Sequence, residues 1–368
     1  MKIAVLSSQL PSPTRAKTGG VAYAAHRLAN ALTKRGHRLT VFTTDEQPPD
    51  ACYQVHRVLS APPANPLSAW LWHWQLAWRY CAQDFSGFDI IHAHGNNALL
   101  RQQGRPLVRT LHGASRAEAI HATTWKRRLW YLSLAPTELW ETASATRVVA
   151  VSASTRNYAP GIDLVIPNSV EGHVFFSEPN LNHNLRHPHP AILFVGTLTG
   201  RKRGQMLLEL FQNQIRPTLP SAELWMVAER DVQAPGVVCY LNPTEKDLAD
   251  MYRRAWVFCL PSTYEGFGIP YIEAMACGTP VVATPNAGAR ELLEDGKWGV
   301  LARQSELGAT LLSLLNDQQR RQSLARLGLQ RAEAFTQERV VDAYEALFVS
   351  MLNSGAKSNN TQEARKSP

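Results

Sequence analysis

Long apolar runs are missing from this sequence. The best stretch, 66–81, is interrupted by Ser68, His73, Gln75 and Arg79. A membrane-spanning helix needs about 18 uninterrupted apolar residues, so no segment is expected to cross a bilayer. The opening MKIAVLSSQL has no extended apolar core and reads as a first strand rather than a signal peptide, so export is not expected. Cysteine is scarce: Cys52, Cys81, Cys239, Cys259 and Cys277 are odd in number, scattered and free of C-x-x-C. That argues against a disulfide framework or zinc knuckle and fits a reducing cytoplasm. Acidic residues are in deficit, 30 against 38 basic ones, for a net charge of +8. An anionic partner is implied, but there is no basic stripe interleaved with aromatics and no helix-turn-helix or OB pattern, so nucleic acid is not expected. Neither G-x-G-x-x-G nor G-x-x-x-x-G-K-[ST] occurs, which removes the dinucleotide fingerprint and the P-loop.

What is present is alternation. With 45 % hydrophobic and 18 % charged residues the chain is a folded protein, and 368 residues suit two domains, each able to bury a core. Apolar β-rich runs at Ile3–Leu6, Leu39–Thr43, Asp89–Ala93, Leu107–Leu111 and Val148–Val151 alternate with segments of helix length, the first over 21–35. That order predicts a mostly parallel, doubly wound sheet. The first helix stops at Lys34-Arg35-Gly36, with basic residues in its last turn and a glycine beyond. At 177–190, SEPNLNHNLRHPHP, the hydrophobic period vanishes and a linker is expected.

Alternation resumes with Ile192–Val195, Leu224–Val227, Val237–Tyr240, Val257–Leu260 and Val281–Ala283. The chain therefore reads as α/β, two doubly wound Rossmann-like domains facing each other, 1–185 and 186–336. Val340, Val341, Tyr344, Leu347, Phe348 and Met351 share one face of a last helix over 337–353, which should pack back on the first domain. The segment 354–368 has no apolar face and reads as a disordered tail.

Such sheets bind ligands at the carboxyl ends of their strands, so the strand-to-helix turns matter most. The turn 7–20 ends in Thr18-Gly19-Gly20, and paired glycines at a helix start open backbone N–H groups toward a phosphate; a tight turn with no ligand is the plain alternative. The second turn, 261–273, follows the strand Val257–Leu260 and carries Glu265 and Glu273 eight positions apart. Carboxylates accept hydrogen bonds from sugar hydroxyls, and Gly266 and Gly268 leave amides for a pyrophosphate. The plain alternative is a solvated Glu265 and a helix-capping Glu273.

The run E265-G-F-G-I-P-Y-I-E273, followed by A-M-A-C-G-T-P-V-V-A-T, resembles the E-x7-E region of retaining GT-B glycosyltransferases of family 4, also called glycosyl transferases group 1. T-G-G-V before the first helix, D-I-I-H-A-H-G at 89–95, V-I-P-N-S-V at 165–170 and F-V-G-T-L-T-G-R-K at 194–202 match in the same order. Together they span residues 18–300.

The resemblance implies a GT-B fold, an acceptor-binding first domain and a nucleotide-sugar-binding second domain. Glu273 would hold the ribose hydroxyls. Glu265, with Gly266, Phe267, Gly268 and Ile269, would hold the sugar and phosphates, and Arg201 and Lys202 would clamp the diphosphate and neutralise the leaving group. His112 would lie near the anomeric carbon, and Gly19 and Gly20 would face the donor phosphate from the opposite domain. His112, Lys202 and Glu265 are the implied catalytic residues. Thr197 stands where the family often has arginine, which throws the phosphate contact onto Arg201 and Lys202, while Arg203 is either a third phosphate ligand or solvated. No D-x-D occurs, so no metal and no cofactor is expected. His92-x-His94 has ligand-like spacing but no evident third ligand.

The acceptor is less legible. Trp70, Trp74 and Trp78 share one helix face, which suits either core packing or a lipid- or acceptor-facing surface. Trp125-Lys-Arg-Arg-Leu-Trp130-Tyr would suit anionic headgroups. These features suggest a cytoplasmic enzyme, peripheral at the inner face of a membrane, acting on a lipid-linked or cell-envelope glycan. A soluble small-molecule acceptor is the alternative, and a non-catalytic nucleotide-sugar-binding or scaffold protein is the alternative of another class.

Overall fold

Strand β1 (Lys2–Leu6) opens the chain with four consecutive buried residues, the mark of a parallel strand covered on both faces. The computed structural model describes residues 1–11, 19–60, 66–100, 104–177 and 186–364. After β1 come α1 (Gly20–Lys34), β2 (Arg38–Thr43), β3 (Gln54–Arg57), α2 (Pro66–Cys81), β4 (Ile90–Ala93), β5 (Leu107–Leu111), α3 (Ser115–Ile120), α4 (Trp125–Ser144), β6 (Arg147–Ala150) and β7 (Leu164–Val165). These strands form one sheet in the order β3-β2-β1-β4-β5-β6-β7, every pairing parallel.

The second half repeats the plan with β8 (Ala191–Val195), α5 (Gly204–Leu210), α6 (Arg216–Thr218), β9 (Glu223–Val227), β10 (Val237–Tyr240), α7 (Glu245–Arg254), β11 (Val257–Leu260), α8 (Ile269–Ala276), β12 (Val281–Ala283), α9 (Ala287–Leu292) and β13 (Val300–Leu301). Its sheet runs β10-β9-β8-β11-β12-β13, again parallel. Helices α10 (Leu307–Asn316), α11 (Gln318–Ala332) and α12 (Gln337–Ala364) complete the chain.

In each sheet the winding reverses once, between β1 and β4 and between β8 and β11. Diverging connections leave a crevice at such a point, where ligands bind. The turns after β1, β4, β8 and β11 carry Gly19 and Gly20, His94, Arg201 and Lys202, and Glu265, while His112 follows the neighbouring β5.

Val340, Val341, Tyr344, Leu347, Phe348 and Met351 of α12 pack with Ile3, Leu28, Leu32 and Val41, so the last helix returns to the first domain's core. The chain crosses between domains twice, side by side: Val170 N–H donates to Phe335 O at 2.9 Å. Val170 and Phe175 already pack in the second core, ahead of the 185/186 boundary expected from composition.

Helix α12 continues to Ala364, so 354–364 is helical where the lack of an apolar face suggested disorder; once nucleated, a helix adds one hydrogen bond for each further residue it fixes. Residues 365–368, the linker portion 178–185 and the portion 12–18 of the first turn, Thr18 included, lie outside the described residues. Strands β3, β7 and β13 were not foreseen; they are edge strands of four, two and two residues with little burial, too short to show a hydrophobic period. Among the described residues no helix is long and apolar enough to cross a membrane.

Candidate active site

The second domain's contribution is built on two turns that need glycine. After β8, a Cβ on Gly196 would sit 2.9 Å from the Phe194 ring and 3.1 Å from Lys202 Cβ, so only glycine lets the turn fold Lys202 back over the strand. After β11, a Cβ on Gly266 would lie 2.4 Å from the His112 carbonyl oxygen of the opposite domain, and Gly268 takes φ +102° as the residue before α8. The 261–268 turn is thus pressed against His112 across the cleft, and its helix starts without a side-chain cap.

Between these turns lies Glu265, only 4 % exposed. Lys202 Nζ reaches its Oε1 at 2.7 Å, Arg201 Nη1 its Oε2 at 2.9 Å, and Ser262 Oγ donates to Oε1 at 2.7 Å. Burial alone would push this carboxyl up, but the two cations and the hydrogen bonds overcome it and hold it at about 2. Arg201 also donates to Tyr264 O at 2.7 Å and approaches Glu118 of α3 at 3.6 Å, a tie to the first domain. The solvated reading of Glu265 therefore does not hold. Arg203 is neither solvated nor free for a phosphate: its guanidinium binds Pro261 O, Thr284 Oγ1 and Gln304 Oε1 and fastens the two turns together.

Glu273, on α8, is 5 % exposed and does not cap the helix. Its Oε1 accepts from both terminal nitrogens of Arg27 at 3.1 Å, and Tyr252 OH donates to Oε2 at 3.4 Å. Burial raises this carboxyl to about 7, with Arg27 opposing and Glu245 assisting. Ile269 approaches the position a Gly20 Cβ would take at 3.5 Å, so the start of α1 faces the start of α8. Gly19 is the N-cap of α1 and supplies no side-chain cap; Ala22 N–H turns back to Gly19 O, and the Gly20 and Val21 N–H groups ahead of it lie at the end of the helix that favours an anion.

From the first domain, His112 follows β5 and His94 follows β4. Their rings share a hydrogen bond of 2.8 Å between His94 Nδ1 and His112 Nε2. His94 lies 4.4 Å from His92, centroid to centroid, and His92 bonds Thr110 Oγ1 at 2.8 Å. Burial holds His112 down at about 4 and His94 well below its ordinary value, so both are neutral at pH 7. One bond joins His94 to His112, while His94 Nε2 and His92 Nδ1 are buried with no hydrogen-bond partner among the described residues, and among the described residues no group of three His, Cys, Asp or Glu side chains is placed to hold a metal.

Contacts across the interdomain gap are made at Gly20, His112, Arg201, Gly266, Ile269 and Glu273, with Lys202 and Glu265 packed beside Arg201. Sequence reasoning missed the groups that brace them: Arg27, Glu118, Ser262 and Glu291, the last accepting from Ala153 N, Ser152 Oγ and Ser154 N across the gap at 2.5 to 2.9 Å. Only Arg27 left a signal, a lone arginine within the apolar stretch of α1. The tryptophan face of α2 is not core. Trp78 is 57 % exposed, Trp70 and Trp74 are half-buried and edge-on at 6.2 Å, and Leu76, Ala77 and Tyr80 make the buried face.

The sequence pattern described as Glycosyltransferase Family 4 matches residues 18–171, and that described as Glycosyl transferases group 1 matches 189–317. A D-inositol 3-phosphate glycosyltransferase of Xylanimonas cellulosilytica is 30 % identical over 88 % of this chain and 89 % of that protein. An O-antigen chain mannosyltransferase B of Escherichia coli is 32 % identical over 42 % of this chain and 45 % of its own length. The structure of Anabaena Alr3699/HepE in complex with UDP-glucose superimposes with a TM-score of 0.74 at 18 % identity, covering 96 % of this chain and all of that one, 100 %.

Proposed function

Since the chain belongs to glycosyltransferase family 4 and is a glycosyltransferase, we propose that it moves a hexose from a nucleotide-diphosphate sugar to a hydroxyl of a lipid-linked or cell-envelope glycan, with retention at the anomeric carbon. One observation carries the donor half of this reading: Arg201 and Lys202 converge on the buried Glu265, directly beneath a glycine turn that touches His112.

Arg201 and Lys202, held by the buried Glu265 with Glu118 beside Arg201, are partly exposed and present their charged N–H groups toward an incoming diphosphate. Fixed charge of that kind acts most strongly where negative charge grows, on the departing phosphate. Glu265 orients the cations and is too tightly paired to serve as a nucleophile. Glu273 accepts from the ribose hydroxyls, and the N–H groups of Gly20 at the start of α1 and of Gly266 to Ile269 ahead of Pro270 face the phosphates. His112, neutral and fixed by His94, offers a hydrogen-bonding ring near the transferred sugar. Retention follows if the acceptor attacks from the face the phosphate leaves, with that phosphate taking the acceptor's proton. This chemistry calls for neither a metal nor a cofactor.

The acceptor reading rests on α4, which leaves Trp125 69 % and Trp140 59 % exposed, with Leu129 and Leu132 between them and Lys126, Arg127 and Arg128 beside them. An unpartnered apolar stripe flanked by cations suits an anionic membrane surface at its cytoplasmic face. The O-antigen mannosyltransferase likeness favours an envelope glycan; the inositol 3-phosphate relative favours the second reading, a soluble acceptor.

The test is a panel of UDP-, GDP- and ADP-hexoses given to the purified protein without acceptor. Slow release of one nucleoside diphosphate, and stabilisation by that donor of roughly 2.7 kcal/mol at 100 times its Kd, are expected. Neither binding nor release with any donor overturns the reading.

A further inference from the structure

Arg27 lies in the middle of α1 among Ala25, Leu28, Ala29, Ala31 and Leu32, and its side chain is 4 % exposed. From the first domain it crosses to the second. Its terminal nitrogens bond Glu273 Oε1 at 3.1 Å and Glu245 Oε1 at 2.5 Å, and Nε lies 3.9 Å from Glu171 Oε2. The Phe175 and Tyr23 rings flank the guanidinium at 5.3 and 5.6 Å. Burying an ion pair is a poor way to stabilise a fold, because desolvation offsets most of the attraction. The charge invites a reason in the site itself.

We propose that Arg27 is the positioning residue for Glu273: it holds that carboxyl group fixed as an acceptor for ribose hydroxyls and favours its ionised form, so that a nucleotide held by the second domain binds tightly only while the first domain is closed on it. The inference rests on the reading of Glu273 as the ribose ligand and adds what governs it. The groups facing Glu273 are Arg27 and Tyr23 of α1, Glu245 and Tyr252 of α7, and Cys277 behind α8, with Glu171 on the far side of the guanidinium. Arg27 is the one cation among them. Without it, burial and Glu245 drive the carboxyl toward its protonated form, and hydrogen bonds to a charged acceptor are roughly twice as strong as those to a neutral one.

The experiment measures the Kd of UDP, GDP and ADP, taking the tightest forward, and of inorganic pyrophosphate, which has no ribose. Wild type is compared with Arg27→Gln, Arg27→Lys, Glu273→Gln and the Arg27→Gln/Glu273→Gln pair. Arg27→Gln is expected to weaken the nucleotide about tenfold and to leave pyrophosphate unchanged. The double variant should be no weaker than either single one, and Arg27→Lys should recover part of the loss. The deficit of Arg27→Gln should also shrink between pH 7 and 9, as the carboxyl ionises without its cation.

Equal weakening of nucleotide and pyrophosphate would make Arg27 a structural residue only. Unchanged or tighter nucleotide binding would show that it does not support Glu273. Either result overturns the proposal. If Glu273→Gln alone leaves nucleotide affinity intact, or wild type binds pyrophosphate but no nucleotide, the ribose reading itself fails, which is a separate outcome.

Discussion

The two lobes share one winding, yet their contributions to the gap differ in kind. The second domain supplies Arg201, Lys202, Ser262 and Glu265 from two turns that are adjacent at a reversal point of the sheet, each closely contacted within one charged cluster. The first domain sends Arg27 and Glu118 across to brace the second, and otherwise supplies neutral groups from separate elements. His112, His94 and His92 form a file, and Asn97 and Arg109 meet Glu141 of α4 through bonds that lead away from the donor side. A fixed charged pocket suits a ligand part that recurs, a diphosphate; a neutral lining with an exposed apolar helix beside it suits the part that varies, the acceptor.

The comparison is broken most directly by deleting the charge at its centre. Glu265→Ala removes the buried carboxylate from between two partly exposed cations; removal of one member of a buried pair costs up to about 3 to 5 kcal/mol. Urea unfolding at pH 7 measures it. The carboxyl is held at about 2 in the fold against 4.5 ordinarily, so its contribution is complete above pH 4.5 and fades as pH falls toward 2. The gap between wild type and Glu265→Gln should therefore narrow in that window; a gap constant down to pH 3 contradicts the pairing.

Lys202→Ala is next. Loss of a positive group aimed at growing charge costs about 100- to 1,000-fold in kcat, with a smaller change in donor Kd. Equal losses in both would move Lys202 from the transition state to simple binding.

Glu273 should behave as the counterpart of Glu265 on the same turn and helix. Its Ala variant is expected to weaken donor binding by about 1 to 3 kcal/mol through lost charged hydrogen bonds, with kcat less affected. Its titration runs the other way. Because burial raises the carboxyl to about 7, the folded protein holds a proton that the unfolded chain has released above 4.5, so stability falls as pH rises from 4.5 to 7. Glu273→Gln should abolish that slope, worth on the order of 3 kcal/mol, and chemical denaturation across pH 4.5 to 8 reads it.

What sequence could and could not disclose follows the same division. The donor turns were legible because glycine, cation and carboxylate sit within short contiguous runs, 194–202 and 261–273, and the backbone demands at Gly196, Gly266 and Gly268 are local. The parallel core strands were legible because burial on both faces makes them continuous apolar runs. Arg27 was not, since its partners Glu273 and Glu245 lie more than 200 positions away. The role of His94 was hidden for a like reason: its spacing to His92 suggested a ligand pair, whereas His112, just past the next strand, takes up its Nδ1. Edge strands and the exposed side of α2 carry patterns too short, or too evenly apolar, to tell a core face from a surface.

The smallest expected effect concerns the acceptor side. If the exposed stripe of α4 rests on an anionic bilayer, Lys126 and Arg128 each add attraction by proximity alone, near 1 kcal/mol or roughly fivefold in the partition per residue. Trp125 and Leu129 add apolar burial that salt does not screen. Flotation with vesicles of neutral lipid and of neutral lipid plus phosphatidylglycerol separates the two contributions. Lys126→Gln should lower binding only to the anionic vesicles and only at low salt, whereas Trp125→Ser should lower it on both. Binding indifferent to lipid charge and to either substitution assigns the stripe another role and leaves a soluble acceptor as the better account of the first domain.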